Sequence, residues 1–326
     1  MNLIDDVYYT KEYVSLYAEE NAEVFEFEYK DGDKIFYTTS IKRPINRIGN
    51  EIVEDGYCDL ETAYGYGGFY CNVDDQLFVK KALSLYKKKC LDEKIIAEFI
   101  RFHAFNEFPK NHNNLFDLNL HDRNIVIVDL EQSKEQRWLG YPKKTRNLLR
   151  KCKKELIFSK TSNVDGFIDL YEKTMQRNNA SDFYFFDNKY YQALLQNTDM
   201  ELYEIRKDDV VIASAFFMFS DDFSHYHLSA NNYEFRQHNA NYYILDEIFD
   251  IAKDRGKKYF ILGGGTTSAE DDSLYKFKKK FSSLVKPFYI SGKIYNKDIY
   301  FKYVKKWEEQ SELNIRYFLK YRRDIR

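Results

Sequence analysis

The sequence is poor in the residues that build metal sites, disulfide frameworks and membrane spans. Its 326 residues include four cysteines, at positions 58, 71, 90 and 152, and their spacings match neither a CxxC pair nor a Cys/His ligand set. The longest strongly apolar run, residues 210–219, has about half of the roughly 20 residues that cross a bilayer. We therefore expect no metal, free thiols and no transmembrane segment.

Neither sign of charge is in excess. Lys and Arg number 50 against 52 Asp and Glu, a formal net charge of −2, whereas domains that bind nucleic acid are usually basic. The N-terminus carries early acids and lacks the basic-then-apolar pattern of a secretion signal. The sequence therefore predicts a cytoplasmic protein without a nucleic-acid partner.

Aromatic residues are abundant, and charge is unevenly placed. The 29 Tyr, 27 Phe and 2 Trp supply ample material for a core, which excludes intrinsic disorder, and the length favours two domains. The first 75 residues hold 17 acids against 6 bases, whereas residues 141–160 hold 8 bases against one acid. We place the domain boundary at this basic segment, which gives domains 1–145 and 146–326.

The pattern of residues predicts an α/β protein. Residues 23–29 and 34–39 alternate around an Asp-Gly-Asp turn, which is typical of a hairpin. Helices are predicted over 75–89, 92–99 and 131–155, and a buried strand over 123–130. The second half reads helix, helix, three strands, helix, strand, helix, an order typical of α/β folds with mixed sheets.

The most informative stretch is residues 225–265, where a strand leads through a loop directly into a helix. Asn241 is predicted to cap this helix, because its amide oxygen can accept from the free N–H groups of the first turn. Such a loop presents backbone N–H groups and the positive end of the helix dipole, which suits a pyrophosphate. An ordinary strand-to-helix connection is the alternative.

This segment resembles the GNAT superfamily of N-acyltransferases, in which an Arg/Gln-x-x-Gly-x-Gly/Ala loop grips the pyrophosphate of coenzyme A. The corresponding residues here are Arg236, Asn239, Ala240 and Asn241. The basic residue is kept and both glycines are replaced by asparagine, which tolerates the left-handed backbone better than most residues. The resemblance implies acyl-coenzyme A as a cofactor bound at this loop.

The sequence also resembles the FemABX-like branch of that superfamily, which implies two tandem GNAT-like domains. Seven segments carry this resemblance in order: 64–68, 98–103, 126–130, 146–151, 170–177, 262–265 and 274–281. The branch includes enzymes that add amino acids from aminoacyl-tRNA to peptidoglycan precursors. It also includes enzymes that resemble acyl-CoA-dependent N-acyltransferases of sugar nucleotides in surface-polysaccharide pathways.

Charge favours the second activity, since a tRNA-dependent enzyme needs a broad basic face. The expected partners are therefore an acyl-CoA and a nucleotide-linked amino sugar, whose phosphates need only a few local cations. The aminoacyl-tRNA-dependent ligase remains an alternative. A catalytically inactive scaffold is a third reading, favoured by the missing loop glycines.

Amide formation from a thioester requires a neutral amine, a polarised carbonyl and a proton for the leaving thiolate. His227, on a strand expected to face the acyl group, is the first candidate for the general base, and His103 is the second. A hydrogen-bonded core histidine is the alternative for both. The resemblance implies Tyr275 as the acid for the thiolate and Lys278 as the cation at the reacting carbonyl. A solvated lysine face over 276–280 is the competing interpretation.

Glycine-rich segments and arginines supply the remaining candidates. Gly263, Gly264 and Gly265 are expected to let a strand end approach the acyl-pantetheine arm. The acceptor is assigned to the segment Tyr64, Gly65, Tyr66, Gly67 and Gly68, where the tyrosines could stack on a ring, and to Arg101, Arg146 and Arg150. A plain turn for the first group and a solvated helix face for the basic segment are the alternatives.

Overall fold

A computed structural model describes residues 2–18, 20–181 and 184–325; the terminal residues of the predicted domain ranges, 1 and 326, lie outside it. The strands, in chain order from β1 to β14, are Glu23–Asp31, Lys34–Pro44, Arg47–Ile48, Glu51–Ile52, Cys58–Glu61, Tyr70–Cys71, Ile95–Arg101, Leu118–Asp129, Ile157–Thr161, Met200–Lys207, Val210–Phe219, Phe223–Asn231, Tyr259–Gly263 and Val285–Ile294. The helices, from α1 to α10, are Lys11–Ser15, Gln76–Asp92, Phe108–Asn111, Lys134–Gly140, Lys143–Glu155, Val164–Arg177, Asn188–Gln196, Ala240–Asp254, Ser273–Lys278 and Lys297–Glu308.

The chain divides into two compact units. The first comprises the residues up to Asp122 together with those from Pro287 onward, and the second is Arg123–Lys286. The boundary expected at 145/146 therefore differs from this division. Packing explains the difference, because two elements before and around residue 145 contact the second unit. The end of β8 pairs with β13, and α5 forms an ion pair with α8 through Lys153 and Asp246. At the other end of the chain, α10 buries Tyr303 and Trp307 in the first unit.

The first unit contains a mixed sheet in the order β1-β2-β5-β7-β14. β1 and β2 form the predicted hairpin, with Glu23 opposite Lys42 and Asp31 opposite Lys34. β5 and β7 are the parallel pair, and α2 connects them. The core on the α2 side is rich in aromatic rings, which accounts for many of the phenylalanines and tyrosines in the sequence.

The second unit contains a mixed sheet in the order β8-β13-β12-β11-β10-β9. Among its strand pairs in the described residues, β12 and β13 run parallel and the others run antiparallel. Helices α5 and α8 pack on one face, where Leu149, Cys152, Leu245 and Phe249 are buried. Helices α6 and α7 contact β10, β11 and β12, and Phe167 of α6 packs on Phe216.

In the described residues, each unit thus has a parallel strand pair among antiparallel ones, and a helix connects the two parallel strands. The connections are β5-α2-β7 in the first unit and β12-α8-β13 in the second. This recurrence agrees with one fold used twice. In the part of the chain that the structure describes, no helix is long and apolar enough to cross a membrane.

Two sequence-based assignments are wrong. Residues 92–99 are not a helix: α2 ends at Asp92, Lys94 has a positive φ of 56°, and β7 follows with six buried residues in succession. Residues 131–155 form two helices, because Pro142 separates α4 from α5. A proline lacks the N–H that a continuous helix would need at that point.

Candidate active site

The parallel strands β12 and β13 of the second unit pair only briefly. In the described chain, their pairing covers Phe223↔Tyr259, Ser224↔Phe260 and His225↔Ile261, although β12 continues to Asn231. Residues 226–231 of β12 thus lie beyond the described pairing with β13. His227 lies in this section of β12.

The end of β13 is built around glycines with crowded surroundings. Gly263 is the last residue of the strand, and a β carbon at Gly264 would lie 2.8 Å from Cδ of Arg123. A β carbon at Gly265 would collide with the carboxylate of Asp272. Gly264 is therefore required by the close approach of Arg123, and the glycines shape the loop before α9.

Lys278 is the buried cation of this loop. Its side chain ends α9 with 7% of the residue exposed, and Nζ donates to the carbonyl oxygen of Gly264 at 2.7 Å. Burial lowers the pKa of the Lys278 ammonium to about 7; Asp272 opposes this shift and Arg123 adds to it. A lysine that titrates near neutral pH can donate to a developing oxyanion and can also exchange a proton.

The other lysines of this segment behave as a solvated face. Lys276 and Lys280 are exposed, Lys280 Nζ donates to the Tyr242 hydroxyl at 3.1 Å, and Lys279 Nζ donates to the carbonyl of Ser283 at 3.0 Å. Among the lysines of 276–280, Lys278 is thus the one turned inward.

Tyr275 lies one helical turn from Lys278 on α9. Its side chain is half-buried, and burial raises the pKa of the phenol, with a smaller contribution from Glu270. The phenol is therefore protonated at neutral pH, as an acid for a leaving thiolate must be. Asp272 caps α9 by accepting from the backbone N–H of Tyr275 at 2.9 Å.

His227 is held in a buried pair with a tyrosine. Its Nε2 lies 2.9 Å from the hydroxyl of Tyr190 on α7, and 9% of the residue is exposed. Burial, and to a smaller extent His225, lower the pKa of His227 to about 3. An imidazole with this pKa is neutral at pH 7 and accepts protons weakly, so its environment suits hydrogen bonding to a ligand better than general-base work. The assignment of His227 as the base stays a prediction.

The loop after β12 forms a 3-10 turn, Tyr233–His238, and then enters α8. The predicted capping by Asn241 is wrong: the residue before the helix is Asn239, in the left-handed conformation with φ 55° and ψ 37°, and Asn241 lies inside the first turn after Ala240. Asn239 adopts this conformation readily, and it gives α8 no side-chain cap. The N–H of Tyr242 in the first turn donates to the Asn239 carbonyl at 3.0 Å, and the start of a helix is electrostatically favourable for an anion.

Arg236 is exposed beside this loop. Its guanidinium stacks over the ring of Tyr233 at 4.1 Å and donates to the Tyr233 carbonyl at 3.0 Å. Helix α5 is anchored to the same loop, because the Cys152 thiol donates to the carbonyl of His238 at 3.3 Å. The basic helix and the candidate phosphate loop are thus neighbours in the second unit.

The basic residues of α5 divide by their partners. Arg150 donates to Asn147 and stacks over Trp138, and Lys153 pairs with Asp246 and Glu247. Within the described ranges, no carboxylate forms an ion pair with five α5 cations: Lys143, Lys144, Arg146, Arg150 and Lys154.

In the first unit, the segment 64–68 packs tightly against other rings. Gly65 has φ 102°, and a β carbon there would collide with the ring of Tyr8, which also contacts Tyr66 edge-on. Gly67 accepts from the hydroxyl of Tyr9 at 2.5 Å, and Gly68 lies against Phe102. The two candidate tyrosines, Tyr64 and Tyr66, are half-buried. Packing explains these glycines, and the role of the segment in acceptor binding stays a prediction.

Arg101 and His103 of the first unit have intramolecular partners. Arg101 forms an ion pair with Glu61 and donates to the Thr62 carbonyl at 3.0 Å. His103 is buried, its Nδ1 accepts from the N–H of Phe105 at 3.2 Å, and its ring contacts Tyr66. Both side chains thus form contacts within the first unit. The role of Arg101 in acceptor binding and that of His103 as a general base stay predictions.

Three residues at the candidate site were missed from the sequence: Arg123, Tyr190 and Asp272. Asp272 carries a detectable signal, since an aspartate at the start of a helix is a preferred cap. Arg123 and Tyr190 carry none, because their partners lie 142 and 37 positions away.

Comparison with known proteins agrees with this geometry. Residues 142–279 match the acetyltransferase (GNAT) domain family. The structure is similar to that of FemX, with a TM-score of 0.71 and 14% identity over 89% of this chain and 92% of that one. It is also similar to the C-terminal (DUF2156) domain of a protein described as a lysylphosphatidylglycerol synthetase from Agrobacterium fabrum, with a TM-score of 0.54 and 14% identity over 87% of each chain.

A third similar structure is L-PGS from Bacillus licheniformis, with a TM-score of 0.53 and 12% identity over 88% of this chain and 89% of that one. No curated protein matches the sequence. The family match thus covers most of the second unit, residues 142–279. The predicted fold, α/β with mixed sheets and GNAT-like domains in tandem, is confirmed.

Proposed function

We propose that the protein forms an amide by moving an acyl group from an activated donor to the amino group of an acceptor. The observation that carries this proposal is Lys278, a buried amine that donates to the carbonyl of Gly264, the residue directly after β13. A cation in that position donates to the carbonyl oxygen of the donor as negative charge develops on it. One such preorganised donor contributes about 3–4 kcal/mol to a transition state.

In the proposed reaction, the acceptor nitrogen attacks the acyl carbon directly. The new N–C bond forms, the C–S bond of a thioester breaks, and one proton passes from the nitrogen to the leaving thiolate. Tyr275, protonated at neutral pH, is the proposed acid for the thiolate. Burial raises the pKa of the thiols of Cys90 and Cys152 above its usual range, to about 11 for Cys152, so neither resembles an activated nucleophile.

The proposed donor is an acyl-coenzyme A. Its pyrophosphate would bind at the start of α8, with Arg236 beside it. Its pantetheine arm would run along residues 226–231 of β12, beyond the pairing with β13. The proposed acceptor is a nucleotide-linked amino sugar of surface-polysaccharide synthesis. Arg146 and Arg150 on α5 are its proposed contacts in the second unit.

A second candidate donor is an aminoacyl-tRNA, in which a C–O ester bond breaks instead. The observation that favours it is the basic helix α5, which bonds to the 233–241 loop and carries cations that form no ion pair with a carboxylate in the described residues. A polynucleotide is bound mainly through its phosphates, which such cations attract. The structural similarity to FemX, to the lysylphosphatidylglycerol synthetase domain and to L-PGS is compatible with this donor.

A mass-spectrometric screen separates the candidates. The purified protein is incubated with acyl-CoAs of increasing chain length, or with a charged tRNA mixture, and a set of nucleotide-linked amino sugars. The proposal predicts an acceptor mass increased by the acyl group in the CoA arm. A product in the tRNA arm alone would select the second donor. A folded protein that gives no product and no thermal shift with any donor would favour the inactive scaffold, since ligand at 100 times its Kd should stabilise by about 2.7 kcal/mol.

A further inference from the structure

The side chain of Arg123 on β8 crosses the loop between β13 and α9. Its Nη1 donates to the carbonyls of Gly265 at 2.8 Å and Thr266 at 3.2 Å. Lys278 donates to the preceding carbonyl, that of Gly264. The arginine and the lysine therefore hold successive peptide groups of one loop, and the glycine at 264 leaves room for the arginine to do so.

Two charged side chains act on the Lys278 amine inside this loop. Asp272 favours the ammonium form, but its carboxylate is also engaged by the N–H of Thr267 at 3.1 Å and the N–H of Tyr275 at 2.9 Å. Arg123 on β8 favours the neutral form. A fixed guanidinium cannot lose its own charge, so it penalises a second cation nearby at every physiological pH.

We propose that Arg123 is a positioning residue for Lys278: it holds the carbonyls of Gly265 and Thr266, directly after the Gly264 carbonyl that accepts from Lys278, and it places a permanent positive charge at the same loop. This inference rests on the proposed function and deepens it. The loop then holds the Lys278 amine in place to donate to the developing oxyanion, and Tyr275 remains the proposed acid for the leaving thiolate. Without this neighbour the pKa of the Lys278 amine would be higher, although burial would still lower it.

The test measures the titration of Lys278 itself and needs no substrate. Protein labelled with 13C at the lysine Cε is titrated by NMR, and Lys278→Met identifies the resonance. The wild-type midpoint is expected near pH 7. Arg123→Gln should raise it by roughly 0.5–1 pH unit, and Arg123→Lys, which keeps the charge, should leave it near the wild-type value.

Two further variants bracket the result. Asp272→Asn keeps an oxygen for capping but removes the negative charge, so the midpoint should fall. Arg206→Gln is the matched control, because Arg206 on β10 also donates to a backbone carbonyl, that of Asp209 at 3.1 Å, and should leave the midpoint unchanged. An unchanged midpoint in Arg123→Gln overturns the proposal.

If Arg123→Gln does not fold, Gly264→Ala replaces it, because the added methyl group displaces the arginine side chain while keeping its charge in the chain. The midpoint should rise there too, and an unchanged midpoint in that variant also overturns the proposal. The outcome is separable from the proposed function. A shifted midpoint in a protein that transfers no acyl group supports the role of Arg123 and defeats the activity, whereas an active enzyme with an unshifted midpoint does the reverse.

Discussion

At the scale of single residues, burial sets the chemistry of this protein more than charge pairing does. Lys278 loses affinity for its proton because it is buried with a carbonyl as its hydrogen-bond acceptor. Glu98 in the first unit gains affinity for the same reason. It is fully buried, and it accepts from the hydroxyls of Tyr295 at 2.6 Å, Tyr86 at 2.9 Å and Ser40 at 3.1 Å.

Glu98 makes a prediction about stability and pH. Burial raises its pKa to about 7, against the hydroxyl hydrogen bonds, which lower it. Between pH 4.5 and pH 7 the folded state therefore holds a proton that the unfolded state has released, and stability falls as the pH rises. The loss should reach about 3 kcal/mol above pH 7.

Glu98→Gln keeps the shape and the acceptor oxygen but cannot ionise, so urea unfolding should find it more stable than the wild type at pH 8 and not at pH 5. Glu312→Gln, at an exposed position of the same unit, is the control and should follow the wild type at both pH values. Equal stability of Glu98→Gln and the wild type at pH 8 would mean that burial does not raise the pKa of Glu98.

At the scale of elements, the sequence predicts most helices and strands. The prediction is wrong where the conformation of a single residue ends a helix. The hairpin of β1 and β2 follows from alternation and turn chemistry, and α8 follows from its apolar spacing. The helix predicted over 92–99 fails because Lys94 takes a positive φ directly after α2 ends at Asp92. Residue type alone does not reveal such a conformation in a lysine.

The capping of α8 supplies a prediction that separates two asparagines. Asn239 has a positive φ, and its side chain donates to the Gln237 carbonyl at 2.8 Å, whereas Asn241 is an ordinary helical residue. Asn239→Ala should therefore lose about 1 kcal/mol, because alanine resists the left-handed conformation. Asn241→Ala should be neutral or slightly stabilising, because alanine is the better helix former.

Chemical denaturation measures both variants, and Asn239→Gly serves as the conservative control with a change below about 0.5 kcal/mol. The reverse order, with Asn241→Ala the less stable variant, would restore the capping that the sequence favoured.

The candidate site was accessible from the sequence only in part. Lys278, Tyr275 and the glycines at 263–265 could be named because a family resemblance placed them together within one short segment. Arg123 could not, because its contact with Gly265 spans 142 positions and depends on the pairing of β8 with β13. His227 could be named by its strand, but the burial that lowers its pKa depends on the packing of α7 against the sheet.

At the scale of the whole molecule, the chain returns to its first unit after completing the second. Residues 287–326 were expected in the second domain, since sequence order alone suggests successive domains. In the structure, this segment packs with the first unit through long-range contacts. Arg322 donates to both oxygens of Asp59, at 2.8 and 3.0 Å, and Asp59 is fully buried.

This return makes a prediction about Arg322. Burial would raise the pKa of Asp59, but Arg43 and Arg322 hold it below its usual value, so Asp59 is ionised. Arg322→Met removes one of its two cationic partners and should cost about 3–5 kcal/mol. Arg316→Met, in the same segment but exposed, should change stability by less than about 0.5 kcal/mol. Equal stability of the two variants in guanidinium unfolding would refute a structural role for the returning segment.

The central claim is that Lys278 acts at the reacting carbonyl of an acyl transfer. The most direct measurement is the initial rate of amide formation, with the donor and acceptor that yield product in the screen, for the wild type, Lys278→Met and Lys276→Met. The account predicts that Lys278→Met lowers the rate by about 10²–10³-fold while donor binding by thermal shift is kept, and that Lys276→Met, on the exposed side of α9, behaves as the wild type. A folded Lys278→Met protein with the wild-type rate would contradict it.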